Sequence, residues 1–278
     1  MEDTDVVRSA SLSRCDHASK PAHAPLHCVP QNGVQRICSW ELTCGGTKVS
    51  AAVGSVVDYS GSAIVNAANE GCISGGGVDG AISQAGGDAL HEARERLPIL
   101  VGTARTRCLT GDAKITEGGE LACQWAIHAV GPNYHSVGDE DEGDRLLYLA
   151  YRSAMREARR KRLPDVAFSL LSAGIFRGSR PLKHVLGIGA LAVSACAYEG
   201  LREVFLVGFT AREKALLTEV LEELSADPTA ATEALLAHAA PSVAEMHHRA
   251  LAGIVDDLPI GFAMSWMAAS ATPTAACD

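Results

Sequence analysis

From Thr47 onward, short runs rich in β-branched and aromatic residues alternate with longer stretches whose apolar positions recur every three or four residues. The short runs are Lys48 to Val53, Ser62 to Asn66, Arg105 to Leu109, Trp125 to Val130, Val166 to Leu170 and Val204 to Val207. They predict strands, because branched and ring-bearing side chains fit a pleated, half-buried surface. The longer stretches, Val78 to Arg96, Glu142 to Lys161, Pro181 to Tyr198 and Ala211 to Leu224, predict helices with one apolar stripe and charges opposite. Strand and helix in alternation predict an α/β chain layered as α/β/α.

On either side of this core the pattern fades. Residues 1 to 40 mix Ser, His, Pro and isolated charges with no sustained period, and residues 1–44 are expected to form a mostly disordered N-terminal extension. Pro228 closes the last helix, and the Ala-rich stretch beyond it, residues 227–278, is expected to be a partly helical C-terminal extension. One domain over residues 45–226 suits a chain of 278 residues, and there is no internal repeat.

Charge and cysteine content narrow the function classes. The formal net charge of -9, from 24 basic and 33 acidic side chains, speaks against a surface that wraps a nucleic-acid backbone, so nucleic acid is an unlikely partner. Nine cysteines, odd in number and with no C-x-x-C pair, suggest reduced thiols. The acidic first twenty residues resemble neither a secretory nor a transit segment, so an intracellular place, cytoplasmic or nuclear, is expected. The apolar run Pro259 to Ala269 is about half of the roughly 20 residues that span a bilayer, so no membrane is expected. Cys15, His17, His23, His27, Cys28 and Cys38 match no zinc spacing, and neither a metal nor a cofactor is expected.

Two segments place small residues directly between a predicted strand and a predicted helix. The first runs from Ile64 through Asn66 and Asn69 to Ser74-Gly-Gly-Gly-Val-Asp-Gly80, and the second from Ser169 through Ser172, Ala173, Gly174, Ile175 and Phe176 to Gly178. Glycines let the backbone approach a ligand closely, and free N–H groups at a helix start attract phosphate oxygens. Either loop alone is also explained as an ordinary tight turn. Together, at the carboxyl ends of strands, they favour a diphosphate-bearing, nucleotide-like ligand. No G-x-G-x-x-G stands with an acidic residue after the next strand, and no G-K-[ST] is present.

The segments Val65-Asn-Ala-Ala-Asn69, Gly75-Gly-Gly-Val-Asp-Gly-Ala-Ile82, Trp125-Ala-Ile-His-Ala-Val-Gly-Pro132 and Leu170-Leu-Ser-Ala-Gly-Ile-Phe176 resemble, in order, the signature segments of macro domains over about residues 47 to 224. Gly75 to Ile82 is similar to the MacroD-type ADP-ribosyl hydrolase branch. Leu170 to Phe176 and the stretch from Gly143 to Arg145, before Tyr151-Arg152, look closer to viral macro domains. The resemblance implies a three-layer α/β/α fold with a mixed central sheet and a cleft for ADP-ribose across the sheet top. It implies that backbone groups of Gly75, Gly76, Gly77 and Val78 and of Ser172 to Phe176 clamp the diphosphate, and that Asn69 bonds the distal ribose. Phe176 would cover that ribose, and Phe209 would contact adenine. Both phenylalanines also suit a plain core. Asn66 is expected to pin loop backbone, and His128, inside an apolar strand, to be a buried structural histidine.

By the same resemblance Asp79 and Asn69 are the pair on which hydrolysis depends, with Asp79 or the ligand's own phosphate orienting a water. The competing reading of Asp79 is a helix-start carboxylate favoured by the dipole. Three departures stand out. Gly54-Ser55-Val56 replaces the usual Gly-Asp-Ile, which leaves Ser55 as a weaker acceptor for adenine, with Asp58 out of register. Ser83 stands where a histidine is common. Arg177-Gly-Ser-Arg-Pro181 replaces Gly-Tyr-Pro, and Arg177 or Arg180 could bring a charge near the phosphates or simply be solvated. The resemblance thus implies an enzyme that removes mono-ADP-ribose from acidic side chains of proteins, with O-acetyl-ADP-ribose as a further substrate. The alternative is a non-catalytic reader of ADP-ribosylated proteins.

Overall fold

The computed structural model describes residues 33–42 and 46–252. Seven strands form one sheet: β1 (Gln35–Glu41), β2 (Lys48–Val53), β3 (Ala63–Ala67), β4 (Ala113–Glu117), β5 (Trp125–Ala129), β6 (Asp165–Ser169) and β7 (Glu203–Gly208), in the order β1-β2-β7-β6-β3-β5-β4. The five central strands are parallel, whereas the edges β1 and β4 run antiparallel to β2 and β5, so the sheet is mixed.

Helix α1 (Val78–Glu95) covers one face, where Ile82 and Leu90 pack with Ile64, Ala126, Ala167 and Phe205. The other face is covered by α2 (Glu140–Arg160), α3 (Leu182–Ala195), α4 (Ala211–Ala226) and α6 (Pro241–Leu251). Strand side chains alternate between the two: Val65, Ile127, Val166, Phe168 and Leu206 point to the second face. Two apolar faces, each sealed by helices, give the three layers.

Several expectations need correction. Arg105 to Leu109 is not a strand; the amides of Arg107 and Cys108 bond the Glu70 carbonyl, which ties this connection to the first glycine-rich segment. The strand lies later, at β4, where Ala113 and Thr116 are buried against β5. The sheet also begins before residue 45. Strand β1 falls within the stretch read as an extension and pairs with β2 through a register shift between Arg36 and Cys38. Helix α1 is bent at Gly87, whose φ of 62° and ψ of -163° are not helical. The Ala-rich stretch forms α5 (Pro228–His238) and α6, and Val243 and His247 of α6 are buried, so this segment completes a helical layer. Cys15, His17, His23, His27, Cys28 and the run Pro259 to Ala269 lie outside the described residues. Among the described residues no group of His, Cys, Asp and Glu is arranged to hold a metal, Cys38, Cys72, Cys108, Cys123 and Cys196 are free thiols, and no helix is long and apolar enough to cross a membrane.

Candidate active site

Because β3 pairs with β6 in parallel, the glycine-rich turns that follow them leave the sheet side by side at its carboxyl end. In the first turn the Asn69 amide closes its own loop: Nδ2 donates to the Ser74 carbonyl at 2.8 Å and Oδ1 accepts from the Gly71 amide at 3.0 Å. Gly77, with φ 59° and ψ -131°, makes a bend open only to glycine and starts α1 with no side chain capping its first N–H groups. Gly76 and Gly77 are exposed, and the space above their Cα atoms is open. Open N–H groups with no side chain over them suit such a helix start to an anion. Gly75 is exposed too but lies against Asp79: a methyl group there would lie 2.6 Å from Asp79 Oδ2.

Asp79, in the first turn of α1, is only 2% exposed. Its Oδ1 accepts from Asn66 Nδ2 and from Arg94 Nη2, each at 2.8 Å, while Oδ2 is buried without a hydrogen-bond partner among the described residues. Arg94 is fully buried and fixed on three sides: Nε donates to the Cys72 carbonyl at 2.5 Å and Nη1 to Ser83 Oγ at 2.8 Å. Asn66 also meets His128 Nδ1 at 3.2 Å, and Thr116 meets His128 Nε2 at 3.0 Å. Burial first, then the charge of Arg94, pushes the His128 imidazole down to about 3, so it stays neutral. His128 is thus the buried structural histidine expected. Asn66 holds the Asp79 carboxylate with its side chain, where a bond to loop backbone was expected. Sequence reasoning missed Arg94; the available signal was a cation four residues after Leu90 on the stripe that α1 buries.

In the second turn Ser172 has φ 53°, a left-handed conformation uncommon for a residue with a side chain. Its hydroxyl donates inward to the Pro132 carbonyl at 2.7 Å, and Ala173 is buried, so this turn presents backbone. Gly174 and Ile175 are exposed, Phe176 is half-buried, and the Phe176 carbonyl accepts from the Tyr134 amide at 2.8 Å. Beneath lies Asp144, with no exposure, which accepts from Tyr134 Oη at 2.8 Å, from His184 Nε2 at 2.7 Å and from Arg180. Burial opposes its ionisation, but the bonds from His184 and Arg180 prevail and hold the carboxyl below its ordinary range. Arg180 also pairs with Glu140 at 3.0 Å, and Arg177 donates to the Arg180 carbonyl. Both arginines therefore brace the turn rather than stand as solvated side chains.

Farther along the carboxyl edge of the sheet, β2 pairs with β7 so that Val53 faces Gly208, which brings Ser55 and Phe209 to adjacent strand ends. Ser55 Oγ accepts from the Val57 amide at 3.4 Å and caps a short 3₁₀ turn, and Asp58 is exposed. Phe209 is 78% exposed, so it is no core residue. With β7 and β6 between β2 and β3, the two ends stand about 14 Å apart at the usual strand spacing.

The chain matches the family described as Macro domain over residues 65–182. It is 39% identical over 164 residues to a macro domain-containing protein of Cupriavidus necator, covering 59% of this chain and 91% of the relative. It is 33% identical to an O-acetyl-ADP-ribose deacetylase of Salmonella gallinarum, covering 63% and 94%. Among solved structures, an Oceanobacillus iheyensis macrodomain with ADP superimposes with a TM-score of 0.59 at 28% identity, over 67% of this chain and 96% of that one. A Trypanosoma brucei macrodomain in complex with ADP-ribose gives 0.52 at 28% identity, over 62% and 68%. Ordered motifs, mixed sheet and paired carboxyl-end turns agree with these likenesses: the chain belongs to the macro domain family.

Proposed function

We propose that this protein binds ADP-ribose across the sheet top and hydrolyses the ester that joins mono-ADP-ribose to acidic side chains, with O-acetyl-ADP-ribose as a small-molecule counterpart. The observation that carries the reading is the Asp79 carboxylate, with one oxygen fixed by Asn66 and Arg94 and the other unpaired beside Gly75. Buried polar atoms are usually satisfied, and an unpaired carboxylate oxygen beneath the exposed Gly75 turn is suited to a water or a sugar hydroxyl brought in by a ligand.

The α1 start at Gly76, Gly77 and Val78 and the backbone of Ser172 to Phe176 take the diphosphate from two sides. That fixes the distal ribose over Asn69, whose amide has one donor and one acceptor position beyond its loop bonds. Phe176 shields the ribose from solvent, and Phe209 lies against the base. Water attacks the ester, the bond between ribose and carboxyl group breaks, and ADP-ribose and a free acidic side chain leave. Asp79 Oδ2 positions that water, and the fixed Oδ1 keeps the carboxylate from turning away. The deacetylase name of a relative supports a hydrolase reading. The free thiols among the described residues support a reducing place inside the cell, and modified proteins there are the partners this reading needs.

The test compares wild type with Asp79→Ala on a Glu-linked ADP-ribosylated protein, with calorimetric titration of ADP-ribose alongside. Wild type is expected to release ADP-ribose at least about 100-fold faster, with affinities within a few-fold. Binding by both without release by either makes the protein a reader. Binding by neither removes the proposal.

A further inference from the structure

At the amino ends of the same parallel strands, opposite the groove, lies an open pocket of about 800 Å³ bordered by Ser62, Trp125, Lys161, Arg162, Asp165 and Arg202. Its only carboxylate among the described residues is already committed: Asp165 accepts from Tyr59 Oη at 2.8 Å, from the Ser62 amide at 2.7 Å and from Arg202 at 3.0 Å. Among the described residues neither Lys161 nor Arg162 has an ion-pair partner, and Lys161 Nζ lies 3.7 Å from the Trp125 ring centroid. Three cations against one carboxylate leave two positive charges in the pocket, on a chain whose formal net charge is -9.

The backbone gives an independent sign. Helix α2 ends in a tight motif in which the Leu163 amide bonds the Ala158 carbonyl and the Arg162 amide bonds the Arg159 carbonyl. The position of residue 162 in that motif needs a left-handed conformation and is most often glycine. Here it is an arginine with φ 54°. A strained residue that carries the pocket's own charge points to use of that charge.

We propose that this pocket is a second anion site, which takes a phosphoryl group on Arg162, Arg202 and Lys161 while the groove at the other end of the sheet is occupied. Guanidinium forks match phosphate oxygens in pairs, and two net positive charges match a phosphate monoester, which carries close to two negative charges near neutral pH.

The experiment saturates the groove with ADP-ribose and then titrates inorganic phosphate, glycerol 2-phosphate or a ten-nucleotide RNA without terminal phosphate, following heat and melting temperature. Arg162→Gly serves as the sharp variant, because glycine relieves the left-handed strain while deleting the cation. It is expected to melt about 2 to 4 °C higher than wild type and to bind the anion at least tenfold more weakly. Lys161→Ala is expected to weaken binding by a smaller factor. Loss of phosphate or monoester binding in Arg162→Gly confirms the site with a free or small esterified phosphate as its source. Binding of the RNA alone, whose phosphates are diesters with one charge each, overturns the match to a phosphate monoester. Anion binding that is equal in wild type and both variants, or no binding of any probe to wild type, overturns the proposal, and neither result depends on whether ADP-ribose is turned over.

Discussion

At the α1 end of the groove a buried carboxylate is held by a fully buried arginine, an asparagine and, through that asparagine, a neutral histidine; at the β2 and β7 end stand an exposed phenylalanine and a half-buried serine. The first end is over-determined. Every partner of Asp79 is itself fixed by another group, from Cys72 and Ser83 behind Arg94 to Thr116 behind His128. At the second end Ser55 is uncharged, and its hydroxyl oxygen accepts from the Val57 amide of a short turn. Under the proposed function the contrast teaches that precision is concentrated where a bond would break, while the proposed base end supplies contact area and little direction.

Breaking the Asp79 ion pair gives the largest effect. Arg94→Ala leaves the 2% exposed carboxylate unpaired and is expected to cost about 3 to 5 kcal/mol of stability in urea unfolding. The double variant Arg94→Ala with Asp79→Ala recovers part of that loss, since no uncompensated charge remains.

Acid separates the two ends as well. The His128 imidazole is depressed to about 3 in the fold against 6.5 in an unfolded chain, so unfolding takes up a proton. Its contribution is complete above about pH 6.5 and is lost as pH falls toward 3. Between pH 6 and 4 stability is expected to fall by about 1.4 kcal/mol per pH unit on its account. His247 of α6, depressed by burial to about 4, adds a second proton over much of the same window. The slope of stability against pH in His128→Asn is expected to be flatter than in wild type by one proton.

Smaller changes sharpen the contrast. Gly75→Ala places a methyl group 2.6 Å from Asp79 Oδ2 and is expected to cost about 1 to 3 kcal/mol, with turnover falling more than affinity. At the base end, Phe209→Ala is expected to leave the melting temperature unchanged, because the ring is 78% exposed, and to weaken ADP-ribose binding by about 1 kcal/mol in calorimetry. Ser55→Asp is expected to strengthen binding several-fold by supplying a charged acceptor.

Much of this architecture was legible in the sequence. Lys48–Val53 and Glu203–Gly208 are short β-branched runs, and Glu140–Arg160 is a long amphipathic repeat, so period and length agreed for each. Two edge strands were not legible. The register shift between Arg36 and Cys38 breaks the alternation of β1, and Ala113–Glu117 is as short as Arg105 to Leu109 and carries as many charges, so the local pattern does not tell the two apart. The two turns could be read from their glycines and from the ordered segments around them. For Arg94 the spacing from Leu90 was the one signal, and it was outweighed because a cation on a helix is ordinarily solvated; its three acceptors show only in the packed structure. Gly87 likewise continues a helical pattern and discloses its bend only through its dihedral angles.

The most direct measurement is a crystal structure of the Asp79→Asn protein with ADP-ribose bound. The expected result has the diphosphate between Gly77 and Gly174 and the distal ribose within hydrogen-bond reach of residue 79, directly or through one water. A ribose lying toward Ser55 and Phe209, or a diphosphate touching one turn alone, contradicts the account.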